Sequence, residues 1–181
     1  MVTILPVMVG ISAASGRAMP PFVSRLGSGS ACRSVYSVAA MWGELKGFDA
    51  ASNFYAVPME NDVHDVFKTY QNSILIASRG EKPVSSRAGH QLMEGNIYAE
   101  NRYEQARNRC TNLADILKSG DLNAFGEVLE DEALTLHALM MCSKPSYMLM
   151  RPNSLAMIEK VRAYRVDTKQ PLYFTLDAGP N

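Results

Sequence analysis

Neither sign of charge is in excess: the 181 residues carry 18 Lys and Arg against 18 Asp and Glu, giving a formal net charge of zero and a pI near 6.8. A neutral chain sets up no broad field to gather nucleic acid or an anionic membrane surface, so neither is expected as a partner and any anion must be held in a discrete pocket. Cysteine is scarce. Cys32, Cys110 and Cys142 are odd in number and far apart, with no C-x-x-C, which points to a reduced, cytoplasmic setting. His64, His90 and His137 are equally isolated, with no H-E-x-x-H and no i, i+4 pair, so no protein-bound transition metal is expected. Long apolar runs are also missing. Ile4 to Ile11 is too short to cross a bilayer, is interrupted by Pro6, and has no Lys or Arg before it, so it reads as a buried strand.

What is present is the composition of a folded protein, 47% hydrophobic and 20% charged, enough for one compact unit or two small ones. Disorder and collagen-like repeats are excluded. After Ile4 to Ile11 come a small-residue turn from Gly10 to Gly16, the Pro20-Pro21 break, and Gly27-Ser28-Gly29-Ser30. This last cluster opens an apolar-periodic stretch (Ala31, Val35, Val38, Ala39, Trp42) that predicts a helix ending near Gly43. Asn53 to Pro58, Ser73 to Ala77 and Leu172 to Leu176 predict strands. Between them, steps of three and four place one helix over Ala99 to Leu117, with a stop at Ser119-Gly120. A second runs over Leu122 to Met140, and a third, capped by Asn153, covers Leu155 to Tyr164. The expected class is α+β, with helices layered on a sheet. A chain that begins on a core strand and stops on the special loop Asp177 to Asn181 is expected to be a piece of a longer protein.

Several places can carry chemistry, each with a plain structural alternative. In G-S-G-S-A-C-R, Gly27 to Arg33, two glycines let the backbone approach an oxyanion, Ser28 and Ser30 can donate to it, and Arg33 can fork onto a carboxylate or phosphate. The alternative is an ordinary flexible turn with a serine cap. Gly10 to Gly16, with Ser12 and Ser15, can cradle a phosphate or be a plain small-residue turn. Ser85, Ser86 and Arg87 are an anion seat or a capped, solvated helix start. Asp177, followed by Ala-Gly-Pro, is a rigidly held base or an Asx-turn residue. The run Glu130-Asp131-Glu132 reads as a solvated helix face, and His137 as a satisfied, partly buried histidine. Leu139, Met140, Met141, Met148 and Met150 read as core or groove lining.

Taken together, R-L-G-S-G-S-A-C-R-S at Arg25 to Ser34, V-S-S at Val84 to Ser86, E-A-L-T-L-H-A at Glu132 to Ala138 and F-T-L-D-A-G-P-N at Phe174 to Asn181 closely resemble the diphosphomevalonate decarboxylase family. That family is part of the GHMP kinase superfamily of small-molecule kinases. The resemblance implies two domains. Residues 1–83 would be the remnant of an N-terminal domain related to ribosomal protein S5 domain 2, and residues 84–181 a ferredoxin-like, helix-rich C-terminal domain. It implies a homodimer and an ATP-dependent decarboxylation of mevalonate 5-diphosphate to isopentenyl diphosphate, with magnesium carried on the ATP. Asp177 would meet the substrate's tertiary hydroxyl and Arg33 its carboxylate. Ser28, Gly29 and Ser30 would line the same pocket, Ser86 and Arg87 would contact the diphosphate, and Gly10, Ser12 and Ser15 would sit at the nucleotide phosphates.

The departures are specific. Gly10 to Gly16 is a residue shorter than the family's phosphate loop G-L-A-S-S-A-S-G and lacks its serine pair. A helical stretch before Val23 and the N-terminal strands with their Y-W-G-K-like segment are absent, and Ser37-Val38 stands in place of a glycine pair. Two alternatives follow: a sister mevalonate or phosphomevalonate kinase that phosphorylates without releasing carbon dioxide, and an inactive truncated piece that keeps part of the pocket.

Overall fold

The computed structural model describes residues 21–27, 31–36, 39–45, 47–79 and 94–179. Their elements, in chain order, are α1 (Pro21–Gly27), β1 (Ala40–Trp42), β2 (Ala56–Pro58), two 3-10 turns (Glu60–Asp62 and Asp65–Thr69), α2 (Ala99–Ser119), α3 (Leu122–Met141) and α4 (Pro152–Thr168). They fall into two compact units. One holds the described residues up to Tyr70 with Ala106–Asp121, and the other Gln71–Gln105 with Leu122 onward, so α2 contributes to both.

In the first unit β1 and β2 pair antiparallel, with Ala40 opposite Pro58, Met41 opposite Val57 and Trp42 opposite Ala56. The helix expected from Ala31 to Gly43 does not form: residues 31–35 make turns and Ala40–Trp42 is a strand. Cys32, Ala40 and Ala56 bury one another with Tyr36 and Trp42 against them, and Tyr36 Oη donates to the Ala56 carbonyl at 2.9 Å. These long-range contacts take the apolar side chains that a local helix would have aligned on one face. The strand expected over Asn53 to Pro58 is shortened at its start. Asn53 is spent on the turn, its carbonyl accepting from Trp42 Nε1 at 3.0 Å and its Oδ1 from the Glu44 amide at 3.1 Å. Gly43 turns the chain there at φ +112, a conformation that side-chain-bearing residues rarely adopt.

The lower part of α2 closes this unit. Leu113, Ala114 and Leu117 are buried on one face, and the Leu117 carbonyl accepts the His64 amide at 2.8 Å. The stop expected at Gly120 is found, with φ +77 and the His64 ring packed on its open side.

In the second unit, α3 and α4 bury two apolar clusters. Leu139, Met140 and Leu149 form one with Leu136, Tyr147 and Ala178, and Ala133, Ile158 and Leu176 form the other with Leu134, Met150 and Phe174. Met141 and Met148, expected as core or groove lining, are exposed and so are not part of the core. The first residue of α4 is Pro152, whose missing N–H costs nothing at that position. Its N-cap is Arg151 rather than the expected Asn153, which instead donates from Nδ2 to the Ala77 carbonyl at 3.2 Å.

The strands expected at Ser73 to Ala77 and Leu172 to Leu176 are not formed; β1 and β2 make the sheet among the described residues. Both segments have strand composition but no ladder partner among the described residues. Ile74, Leu75 and Ile76 stand exposed at 81%, 54% and 61%. The strand expected at Ile4 to Ile11 and the helix start at Val84 lie outside the described residues. No helix among the described residues is long and apolar enough to cross a membrane.

Candidate functional site

Of the residues singled out by sequence, Arg33 and Asp177 are placed, the first in one compact unit and the second in the other. Gly10, Ser12, Ser15, Ser28, Gly29, Ser30, Ser86 and Arg87 lie outside the described residues.

Arg33 sits in the turns after the Gly/Ser cluster, where the Ser34 amide donates to the Ala31 carbonyl at 3.1 Å and the Tyr36 amide to the Arg33 carbonyl at 3.2 Å. Its side chain is buried, and Nη2 has no hydrogen-bond partner among the described residues. Burial lowers the guanidinium pKa from its ordinary value, opposed by the neighbouring Cys32 and Cys110. The Cys32 thiol is held above its ordinary pKa, chiefly by burial, with Arg33 and Arg25 pulling the other way. A guanidinium keeps its proton throughout this range, so Arg33 is a buried cation with an N–H left over. Such a group is costly unless an anion meets it. Arg25 lies nearby in sequence, its guanidinium 4.6 Å from the centroid of the Trp42 ring.

Asp177 follows the segment from Leu172, which forms no strand, and is held on a tight bend. Its Oδ1 accepts the Ala178 amide at 2.8 Å, and its carbonyl accepts the Gly179 amide at 2.7 Å. The same carbonyl lies 3.1 Å from Nε2 of His137, which projects from α3 and is 2% exposed. Leu176 and Ala178, on either side, enter the two apolar clusters of this unit. The bend is therefore anchored before, at and after the aspartate.

The approach to that bend is tied by ions. Glu130 on α3, its side chain 9% exposed, accepts from Arg165 through both oxygens at 2.6 and 3.2 Å, with Arg162 Nε at 3.7 Å. Arg165 Nη1 also donates to the Leu172 carbonyl at 2.6 Å and its guanidinium stacks 4.7 Å over Tyr173, while Arg162 lies 5.5 Å over Phe174. Glu132 pairs with the buried Arg102 at 2.7 Å. The acidic run is therefore solvated at Asp131, which is exposed, but not at its ends: Glu130 and Glu132 turn inward to arginines. Nothing local marks those partners, because Arg165 lies 35 residues and Arg102 30 residues away along the chain. His137, read as a satisfied histidine, is buried and bonded as expected, but its partner on the Asp177 bend is not visible in the sequence.

The buried Arg33 lies in one unit of this α+β chain and the braced Asp177 in the other, and solved structures of GHMP-kinase type architecture align with the chain. The family model "Mevalonate 5-diphosphate decarboxylase C-terminal domain" matches residues 73–181. The diphosphomevalonate decarboxylase of Schizosaccharomyces pombe is 26% identical over 164 residues, 88% of this chain and 40% of that protein. The structure of mevalonate diphosphate decarboxylase from Staphylococcus aureus aligns with TM-score 0.70 and 28% identity, covering 88% of this chain and 47% of the other. Another, of a chain designated MDDEF in complex with MVAPP, AMPPCP and magnesium, aligns with TM-score 0.69, 28% identity and coverage of 88% and 47%. The chain belongs to the mevalonate 5-diphosphate decarboxylase family. It spans about two fifths of the length of the curated relatives it matches.

Proposed function

We propose that this protein serves the ATP-dependent decarboxylation of mevalonate 5-diphosphate to isopentenyl diphosphate, with ADP, phosphate and carbon dioxide as co-products. The observation that carries the reading is Arg33, a buried guanidinium whose Nη2 has no hydrogen-bond partner among the described residues, close in sequence to Gly27-Ser28-Gly29-Ser30, which can deliver further donors. Arg33 grips the substrate carboxylate and keeps the bond to be broken aligned. Asp177 takes the proton of the tertiary hydroxyl as that oxygen bonds to the γ-phosphorus and the bond to the bridging oxygen breaks, its pair leaving on ADP. The C3–O bond then breaks with its pair on phosphate, the C1–C2 pair becomes the new double bond, and carbon dioxide departs.

By the family resemblance Ser28, Gly29 and Ser30 complete the carboxylate pocket, Ser86 and Arg87 hold the diphosphate, and Gly10, Ser12 and Ser15 meet the nucleotide. Magnesium bound with the nucleotide neutralises phosphate charge. The reading includes a cytoplasmic location, a homodimer, and a division into an N-terminal domain remnant over 1–83 and a C-terminal domain over 84–181. The start of the family match at residue 73 supports that division.

The test supplies ATP with mevalonate 5-diphosphate to the native gene product and follows ADP and carbon dioxide together. Equal release of both is expected, and Asp177→Asn or Arg33→Gln should lower turnover by about a hundredfold or more. ADP without carbon dioxide would mean a sister kinase, and neither product an inactive piece. Near-normal turnover by Asp177→Asn would remove Asp177 from the chemistry.

A further inference from the structure

We propose that His137 is a positioning residue of the Asp177 site, donating from Nε2 to the Asp177 carbonyl and so fixing the backbone that presents the Asp177 carboxylate. The proposal rests on the reading of Asp177 as the proton acceptor.

The contact measures 3.1 Å. A carbonyl only accepts, so Nε2 carries the hydrogen, as it does in the neutral Nε2–H tautomer. The surroundings favour that form, because burial pushes the imidazole below its ordinary pKa, although the Asp177 carbonyl and charge pull it up. At 2% exposure the ring has no room to turn away into water.

His137 adds a tie of a kind that apolar contact does not provide. Leu176 and Ala178 are gripped by apolar contact, which resists withdrawal of the chain but not rotation of a peptide plane. Rotation about Asp177 is what would swing its carboxylate, and His137 bonds the carbonyl whose plane would have to turn. The Gly179 amide reaches the same oxygen from within the bend at 2.7 Å, whereas His137 reaches it from α3, 40 residues away along the chain. A buried helix therefore sets the aim of the carboxylate, and in phosphoryl transfer a misplacement of about 1 Å costs roughly a hundredfold. His137 need not touch substrate to have this effect.

The test compares His137→Leu, His137→Gln and Asp177→Asn in the native gene product. The leucine variant keeps the bulk and loses the donor, and glutamine keeps an N–H donor of similar reach. His137→Leu is expected to lower kcat about tenfold or more with KM for both substrates within about twofold, and His137→Gln to recover most of the loss. Amide exchange at Ala178 and Gly179 should quicken roughly tenfold in His137→Leu, stay near the parent in His137→Gln, and leave the core of α3 unchanged. If the leucine variant does not fold, His137→Asn, polar but too short to reach, takes its place. Parental kcat and parental exchange in the donor-free variant would overturn the proposal, as would equal losses in the leucine and glutamine variants. Full turnover by Asp177→Asn would instead overturn the role of Asp177 as base, while the exchange measurement still decides whether His137 holds the bend.

Discussion

Glu130 and Arg165 allow a stability effect to be worked out from exposure alone. The Glu130 side chain is 9% exposed, Arg165 27% and Arg162 49%. Removing the carboxylate leaves two cations that reach water, whereas removing Arg165 leaves an anion inside the protein facing one half-solvated partner at 3.7 Å. Breaking a fully buried pair costs about 3–5 kcal/mol. Because Arg165 regains solvent, Glu130→Gln is expected to cost about 1–2 kcal/mol. Arg165→Met should cost about 3 kcal/mol, since it strands the carboxylate and also gives up the bond to the Leu172 carbonyl. Glu130→Gln combined with Arg165→Met removes both charges at nearly constant volume and should come back to within about 2 kcal/mol of the parent. Urea unfolding of the parent, both single variants and the double variant closes the cycle, and a coupling of about 2–3 kcal/mol is expected. A cost for Arg165→Met no larger than that of Glu130→Gln, or no measurable coupling, would refute the argument that the carboxylate is the desolvated partner.

Two further outcomes follow from the same unit. Gly126 on α3 faces the Tyr173 ring so closely that a Cβ would overlap it, so Gly126→Ala should destabilise by about 1–3 kcal/mol in thermal unfolding, although alanine is the better helix former. The shift must move Tyr173 and strain its bond to Asn123 Oδ1, now 2.8 Å. His137 also sets a pH slope. Its pKa is lowered on folding from an ordinary 6.5, mainly by burial, so below that pH the unfolded chain binds a proton that the native state refuses. Its contribution is complete above pH 6.5 and is lost as pH falls towards the native value; denaturant titrations at pH 7.5 and 5.5 should show less of a difference in His137→Gln than in the parent.

The elements legible in the sequence are those whose signal is local. The helices α2, α3 and α4 repeat their apolar residues within a turn and are punctuated by Gly120 and Pro152, so their spans came close from periodicity alone. Ser73 to Ala77 and Leu172 to Leu176 have strand composition, but a strand exists only with a neighbour, and composition cannot report one. The Ala31 to Gly43 stretch failed for the converse reason: residues with helical spacing were drawn into a hairpin by partners at Ala56 and Val57. At the site, Arg33 and Asp177 stood out because their neighbours in sequence are distinctive. Glu130, Arg165 and His137 did not, because what gives each its place is a residue on another element.

The bare run from Ser73 to Ala77 bears on how the protein must be handled. A chain segment with Ile74, Leu75 and Ile76 all exposed and no ladder partner offers its backbone to any other segment of similar shape, including its own copy on a second molecule. Charge does little to keep copies apart, since the net charge is zero. Concentrating the chain near neutral pH therefore selects for sticking, and buffers well away from the pI, where every molecule carries the same sign, are the conditions in which it will stay dispersed.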